Sequence, residues 1–157
     1  MKLGIDTGVL IASIKKKGER FHGPSLRLAE LIKDKGHVAV SSALVLIEFP
    51  GGLASSTRMP IDLIHTAELS VQESFALEIV PFEDHIDKTV SLVFELRDLK
   101  GKLGIESADF HHLATAIGEN CGAFVTVDER HLLRSEVSDA LGRYIRVLDP
   151  SEATRLL

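Results

Sequence analysis

Apolar residues along the chain fall into short runs that alternate with longer amphipathic stretches, the arrangement expected of β–α units feeding a parallel sheet. Residues 2–5 read as a first strand ending at Asp6, and residues 7–16 as a helix with Val9, Leu10, Ile11 and Ile14 turned inward. Pro24 and Ser25 open a second helix that Gly36 closes. Residues 37–41 give a second strand. Ser42 then stands where it would cap a helix carrying Leu44, Val45, Ile47 and Glu48, which Pro50-Gly51-Gly52 is expected to end or kink. From Pro60 to about residue 77 runs a helix rich in Leu, Ile and Ala, read as core with a partner-binding face as the alternative. Residues 78–81 form a brief third strand, and residues 83 to about 100 a long amphipathic helix. A loop bracketed by Gly101 and Gly104 leads to a helix over 106–120, stopped by Gly122. Residues 123–127 are the clearest buried strand, and 144–148 a fifth, edge-like strand before a short polar tail. The pattern as a whole is an α/β fold with five strands in a mostly parallel sheet, and residues 1–157 are read as one domain.

Composition narrows the setting. Apolar residues make up 45% and charged residues 26%, which is ordinary for a globular chain with its own core. No run approaches the roughly 20 apolar residues that cross a bilayer. Asp6 interrupts the apolar stretch that a secretory signal would need. Cys121 is the sole cysteine, so no intramolecular disulfide forms, which suits a reducing compartment. The expectation is a soluble cytoplasmic protein with no membrane contact. The formal net charge of −5 argues against tight gripping of nucleic-acid phosphates, which calls for a basic surplus. Bound divalent cations would offset several carboxylates locally. Lys15-Lys16-Lys17 and the group Arg97, Lys100, Lys102 are basic clusters, read most simply as solvated helix ends.

The acids carry the chemistry. The strands Leu3-Gly4-Ile5 and Phe124-Val125-Thr126-Val127 each finish in an aspartate, Asp6 and Asp128. In an open parallel sheet the carboxyl ends of the strands form the ligand crevice. A carboxylate left there is costly unless it is hydrogen-bonded or holds a cation. Asp109 lies near the start of a helix with Phe110, Leu113, Ala114 and Ile117 inward, and Glu48 follows the apolar run 43–47. Taken singly each has an ordinary explanation: Asp6 and Asp128 begin turns or cap helices, Asp109 complements a helix dipole, Glu48 sits on the surface. Four at compatible places point instead to a shared site.

These residues resemble the PIN-domain family of ribonucleases, including the VapC toxins of VapBC toxin–antitoxin pairs. The opening motif is matched by Ile5-Asp6-Thr7-Gly8-Val9-Leu10-Ile11, and the segment before the second acid by Ser41-Ser42-Ala43-Leu44-Val45-Leu46-Ile47-Glu48. Ser107-Ala108-Asp109-Phe110-His111-His112-Leu113-Ala114-Thr115-Ala116-Ile117 is similar to the third motif, and Val125-Thr126-Val127-Asp128-Glu129-Arg130-His131-Leu132 to the fourth, a strand, Thr-x-Asp and then a short helix. The acids are separated by 42, 61 and 19 positions. Two departures stand out: Gly8 replaces the Ser or Asn common after Asp-Thr, and the stretch 51–60 looks longer than usual.

The resemblance implies a PIN-like three-layer α/β/α fold and hydrolysis of RNA phosphodiesters, leaving a 5′-phosphate and a 3′-hydroxyl. Mg²⁺ or Mn²⁺ suits an all-oxygen donor set, whereas zinc would want His and Cys. Asp6, Asp109 and Asp128 are the implied ligands, Glu48 acts directly or through water, and Thr7 and Thr126 position carboxylates or water. An RNA substrate, an antitoxin partner and a homodimer are implied as well. A housekeeping RNA-processing nuclease and a non-catalytic PIN-fold interaction module are the alternatives. His111 and His112 are read as packing or surface residues, because adjacent helical positions do not face one ligand. Glu106 and Glu129 are lesser candidates to assist an ion, and Cys121 is read as a buried small residue. Haloacid-dehalogenase phosphatases need an aspartate where this chain has Gly8, actin-like ATPases need about twice the length, and a receiver domain's lysine is not evident. No glycine-rich nucleotide loop appears.

Overall fold

The computed structural model describes residues 1–157. Five strands run parallel, β1 (Lys2–Ile5), β2 (Val38–Ser42), β3 (Leu77–Val80), β4 (Phe124–Val125) and β5 (Val147–Leu148), in the order β3-β2-β1-β4-β5. The sheet is wholly parallel because helical segments intervene between successive strands, returning the chain to the same edge each time. After β1 the order runs outward through β2 to β3, then crosses back to place β4 on the other side of β1. The topological switch, where α/β folds open a crevice, therefore lies between β1 and β4.

Helices cover both faces. On one side α1 (Thr7–Ile14), α2 (His22–Asp34), α3 (Val45–Ser56), α4 (Ile61–Ser74) and α9 (Pro150–Leu156) pack on Leu3, Ile5, Ala39 and Val125. On the other, α5 (Ile86–Glu95), α7 (Ser107–Gly118) and α8 (Ser135–Leu141) cover Phe124 and Val147, with α6 (Arg97–Leu103) at their margin. The strand pleat explains the division: Leu3 and Ile5 point one way and Gly4 the other. Gly4 lets α7 settle directly on the strand. A Cβ there would stand 2.4 Å from the Ala116 Cβ and 2.9 Å from the Phe124 ring.

Several boundaries differ from the sequence expectation. Pro50 does not end α3, which continues to Ser56. Phe49 and Leu53 are buried on either side of the proline, and Gly52 lies so close to α1 that a Cβ would meet Ile11 at 2.4 Å. Packing on α1 thus outweighs the lost helix hydrogen bond. The long helix over 83–100 is instead a 3₁₀ turn (Phe82–His85), α5 and α6, broken where Leu96 leaves helical geometry and buries itself. The helix over 60–77 is α4, of which only Ile64 and Val71 are buried, while Ile61, Leu63 and Leu69 are exposed. The polar tail is a helix: Asp149 accepts from the Glu152 N–H at 2.8 Å and Ala153 is fully buried. The short helix expected directly after Asp128 starts only at Ser135. No helix is long and apolar enough to cross a membrane.

Candidate functional site

Strand pairing sets the first two acids. The Asp6 N–H donates to the Val125 carbonyl at 2.9 Å, carrying the β1–β4 pairing one step past the strand and laying Asp6 beside Thr126. The Thr126 hydroxyl donates to Asp6 Oδ2 at 2.6 Å, and its oxygen accepts the Asp128 N–H at 3.1 Å. Asp128 then closes a turn: its Oδ1 accepts the N–H groups of Arg130 and His131 at 3.0 and 3.2 Å, and its Oδ2 lies 3.0 Å from His131 Nδ1.

Glu48 and Asp109 arrive on helices from the two faces. Glu48, in the first turn of α3, accepts the Thr7 hydroxyl at 2.6 Å and contacts His112 Nε2 at 2.7 Å through the same oxygen. Asp109, in the first turn of α7, accepts the Glu106 N–H at 2.8 Å. Ser42 does not cap α3, contrary to expectation. It ends β2 and its hydroxyl lies 3.0 Å from His112 Nδ1, so the serine serves the histidine instead.

His112 is the site residue that sequence reasoning missed. It is 3% exposed, held between Ser42 and Glu48, and close enough to Asp6 and Asp109 for their charges to act on it. The signal was present: Asp109 and His112 stand three apart on one helix and so share a face. Adjacent helical positions diverge, so His111 turns away and only the three-residue spacing to Asp109 marks His112.

The electrostatics are lopsided. Burial raises the Asp6 pKa above the ordinary carboxylate value, against the relief that His112 and the Thr126 hydroxyl provide, and the charges of Glu48 and Asp128 push it further up. Asp109 is raised too, chiefly by burial and then by Asp6 and Asp128, with the Glu106 N–H and His112 opposing. Burial alone would raise Glu48, but the hydrogen bond and charge of His112 and the Thr7 hydroxyl together hold it below its usual value. Burial would lower His112, yet its bond to Glu48 and the charges of Asp6, Glu48 and Asp109 raise it. The pairing with Glu48 thus favours the protonated form of His112, and Asp6 and Asp109 remain short of positive charge.

The four acids are neighbours by these couplings, but no three Asp, Glu, His or Cys side chains converge as a ready-made metal cage. All four are turned to internal partners: Asp6 to Thr126, Glu48 to Thr7 and His112, Asp109 to its own helix start, Asp128 to its turn and His131. The lesser candidates are accounted for differently. Glu129 pairs with Arg20 at 2.8 Å, and Glu106 supplies the backbone N–H that caps Asp109. Cys121 is half-buried, its thiol pushed up to about 12 by burial, so it is inert at neutral pH. Gly8 is explained by space: a Cβ there would meet the Val127 side chain at 2.8 Å and Asp6 Oδ2 at 3.4 Å.

A wholly parallel α/β/α sandwich with acids around its switch point defines a class, and the comparisons agree with it. The chain belongs to the PIN domain family, which matches residues 4–135. Its fold resembles a chain of the VapBC2 complex from Rickettsia felis bound to promoter DNA, at TM-score 0.60 and 20% identity, covering 95% of this chain and 98% of that one. FitAcB from Neisseria gonorrhoeae is similar at TM-score 0.62 and 20% identity, with 96% and 98% covered. FitAB bound to an IR36 DNA fragment gives TM-score 0.61 and 20% identity, with 96% of each chain covered. Among curated proteins, none matches the chain.

Proposed function

We propose that residues 1–157 act as one PIN-like domain that hydrolyses RNA phosphodiesters with Mg²⁺ or Mn²⁺, as the toxin half of a VapBC-type pair. The observation that carries this reading is the charge balance at the sheet's switch point. Asp6 and Asp109 are both raised by burial and by neighbouring acids, and His112 is already committed to Glu48. A buried anionic site of this kind is relieved by a cation, and an all-carboxylate donor set suits a hard divalent ion. Asp6, Asp109 and Asp128 would hold it, with Glu48 reaching it directly or through water.

When bound, the ion supplies the charge that activates water and steadies the phosphate during hydrolysis. The chain's own residues prepare the rest. Thr126 orients Asp6, Thr7 and His112 fix Glu48, and Ser42 holds the far nitrogen of His112. The acids around His112 favour its protonated form, which would limit their mutual repulsion before substrate arrives.

Asp6→Asn and Asp109→Asn, made separately and assayed on RNA with Mg²⁺ or Mn²⁺, test the assignment. Loss of cleavage by orders of magnitude in folded variants is expected, and full activity in both would refute it. An antitoxin and a second copy of the chain complete the reading. VapBC2 and FitAB are complexes bound to DNA, and a small DNA-binding protein encoded beside this chain that blocks its cleavage would support the toxin role over a solitary RNA-processing nuclease. One observation favours a second reading, a non-catalytic interaction module: the acids do not converge as they stand. Calorimetric titration with Mn²⁺ separates the two, since the module would show no carboxylate-dependent heat.

A further inference from the structure

The helix that offers Asp109 and His112 to the acidic site turns the intervening His111 into an apolar cavity of about 270 Å³. Leu44, four residues before Glu48, and Ala108, beside Asp109, line it together with Phe82, Ile86 and Val90. His111 is 3% exposed, and its Nε2 has no partner. The tautomer follows from its other nitrogen. The one hydroxyl proton of Thr89 is donated to the His85 carbonyl at 2.8 Å, so His111 Nδ1–H donates to the Thr89 oxygen, also at 2.8 Å. Nε2 is then a buried acceptor without a partner, on a side chain that lines the cavity.

The walls suit a flat ring. Phe82 is 45% exposed, with its ring centroid 4.5 Å from that of His111 at a tilt of 43°. Past Ser107 and Ala108 the cavity opens into a groove where the Lys100 ammonium donates to the Ser107 hydroxyl. Arg97 and Lys102 lie on the same short helix. Glu106 lines the groove too, so its mouth carries one cation and one acid. Aromatic surface, one buried acceptor and a lysine, set beside a candidate phosphodiester site, match a base joined to a charged backbone.

We propose that this cavity seats one nucleobase of the RNA strand beside the scissile phosphate, its ring against Phe82 and an N–H donated to His111 Nε2, while Lys100 meets the adjoining backbone. The proposal rests on the ribonuclease reading for its substrate. Every base carries an N–H donor, so the cavity requires a base without selecting one among the four.

The test uses the full chain and a single-stranded oligoribonucleotide carrying one 2-aminopurine, followed by stopped-flow fluorescence with Mg²⁺ before product accumulates. Stacking on Phe82 is expected to quench the probe. Val90→Trp, which fills the cavity from a half-exposed position, and Phe82→Ala should each weaken binding roughly tenfold or more and raise KM for RNA with little change in kcat. Equal quenching in wild type and both variants, or none in wild type, overturns the proposal. So does a Val90→Trp variant that leaves fluorescence unchanged but converts a sedimenting dimer to monomer, which would give the cavity to a second copy. If neither wild type nor Asp6→Asn cleaves RNA, yet quenching is lost in Val90→Trp, the base site stands and the hydrolytic reading falls.

Discussion

Replacing Asp6 by asparagine separates the cost of the acidic site from its use. The amide keeps the shape and the acceptor oxygen that Thr126 serves at 2.6 Å, so the main change is one lost negative charge. That charge is unfavourable in the metal-free protein: burial raises its pKa, and Glu48 and Asp128 add to the rise. A carboxylate with a raised folded pKa binds its proton more tightly in the native state. The penalty is therefore absent below the ordinary aspartate value, grows as pH rises, and is complete above the raised value. Each unit of such a shift corresponds to about 1.4 kcal/mol, and the lost support for His112 offsets part of the gain. A net stabilisation of about 1 kcal/mol is expected at neutral pH, roughly 2–4 °C in Tm for a chain of this size. Magnesium should reverse the order. At 100 times Kd, binding to the native state adds about 2.7 kcal/mol to wild type, roughly 5–11 °C, and nothing to the variant. Differential scanning calorimetry in EDTA and in a magnesium series measures both arms. An Asp6→Asn protein that melts several degrees lower in EDTA, or keeps the full magnesium shift, would refute the charge argument.

Two further substitutions probe the scaffold. His112→Phe leaves the half-buried Glu48 and the buried Ser42 without their histidine partner, and should cost about 1–3 kcal/mol in urea unfolding. Because the folded His112 pKa is raised, its contribution is present below about 6.5 and fades as pH rises through the higher folded value. Wild type should lose stability on the alkaline side, and the variant should not. Gly4→Ala drives a methyl to within 2.4 Å of Ala116 and should lower stability by about 1–3 kcal/mol through overpacking of β1 against α7. An unchanged melting temperature would mean α7 can retreat without penalty.

The alternation of apolar runs and amphipathic stretches was enough to place β1, β2, β3 and α7 within a few residues, because each buries a face whose period is readable. Pattern failed where tertiary packing overruled local chemistry. Pro50-Gly51-Gly52 looks like a stop, but Gly52 is the residue that lets α3 lie on Ile11. Residues 150–156 look polar, yet one alanine facing α2 and an Asp149 cap suffice for α9. The break at Leu96 has no Gly or Pro to announce it, and only its burial explains the turn. At the site, the position of Asp6 was legible from the end of β1, whereas the strand expected over 123–127 stops at Val125 and leaves Asp128 in the turn beyond it. The partnership of Glu48 with His112 spans 64 residues, and no local pattern encodes a contact that long.

That partnership also bears on why the acids do not converge. Each donor now facing a carboxylate is one a cation would displace or compete with: the Glu106 N–H on Asp109, the turn N–H groups and His131 on Asp128, Thr7 and His112 on Glu48. Asp6 and Asp109 are each served by one donor and each pressed by burial and two neighbouring carboxylates, but the donor on Asp6 is a threonine hydroxyl, whereas that on Asp109 is the backbone N–H at the start of its own helix. On the proposed reading, Asp6 would make the principal contact to an ion, and Asp109 and Asp128 would hold it in competition with the helix-start and turn N–H groups they now accept. That ranking has a measurable consequence. Asp6→Asn should abolish Mn²⁺ binding in calorimetry, whereas Asp128→Asn should weaken it while leaving a detectable heat. Equal loss from both, or a larger loss from Asp128→Asn, would place the principal contact elsewhere in the site.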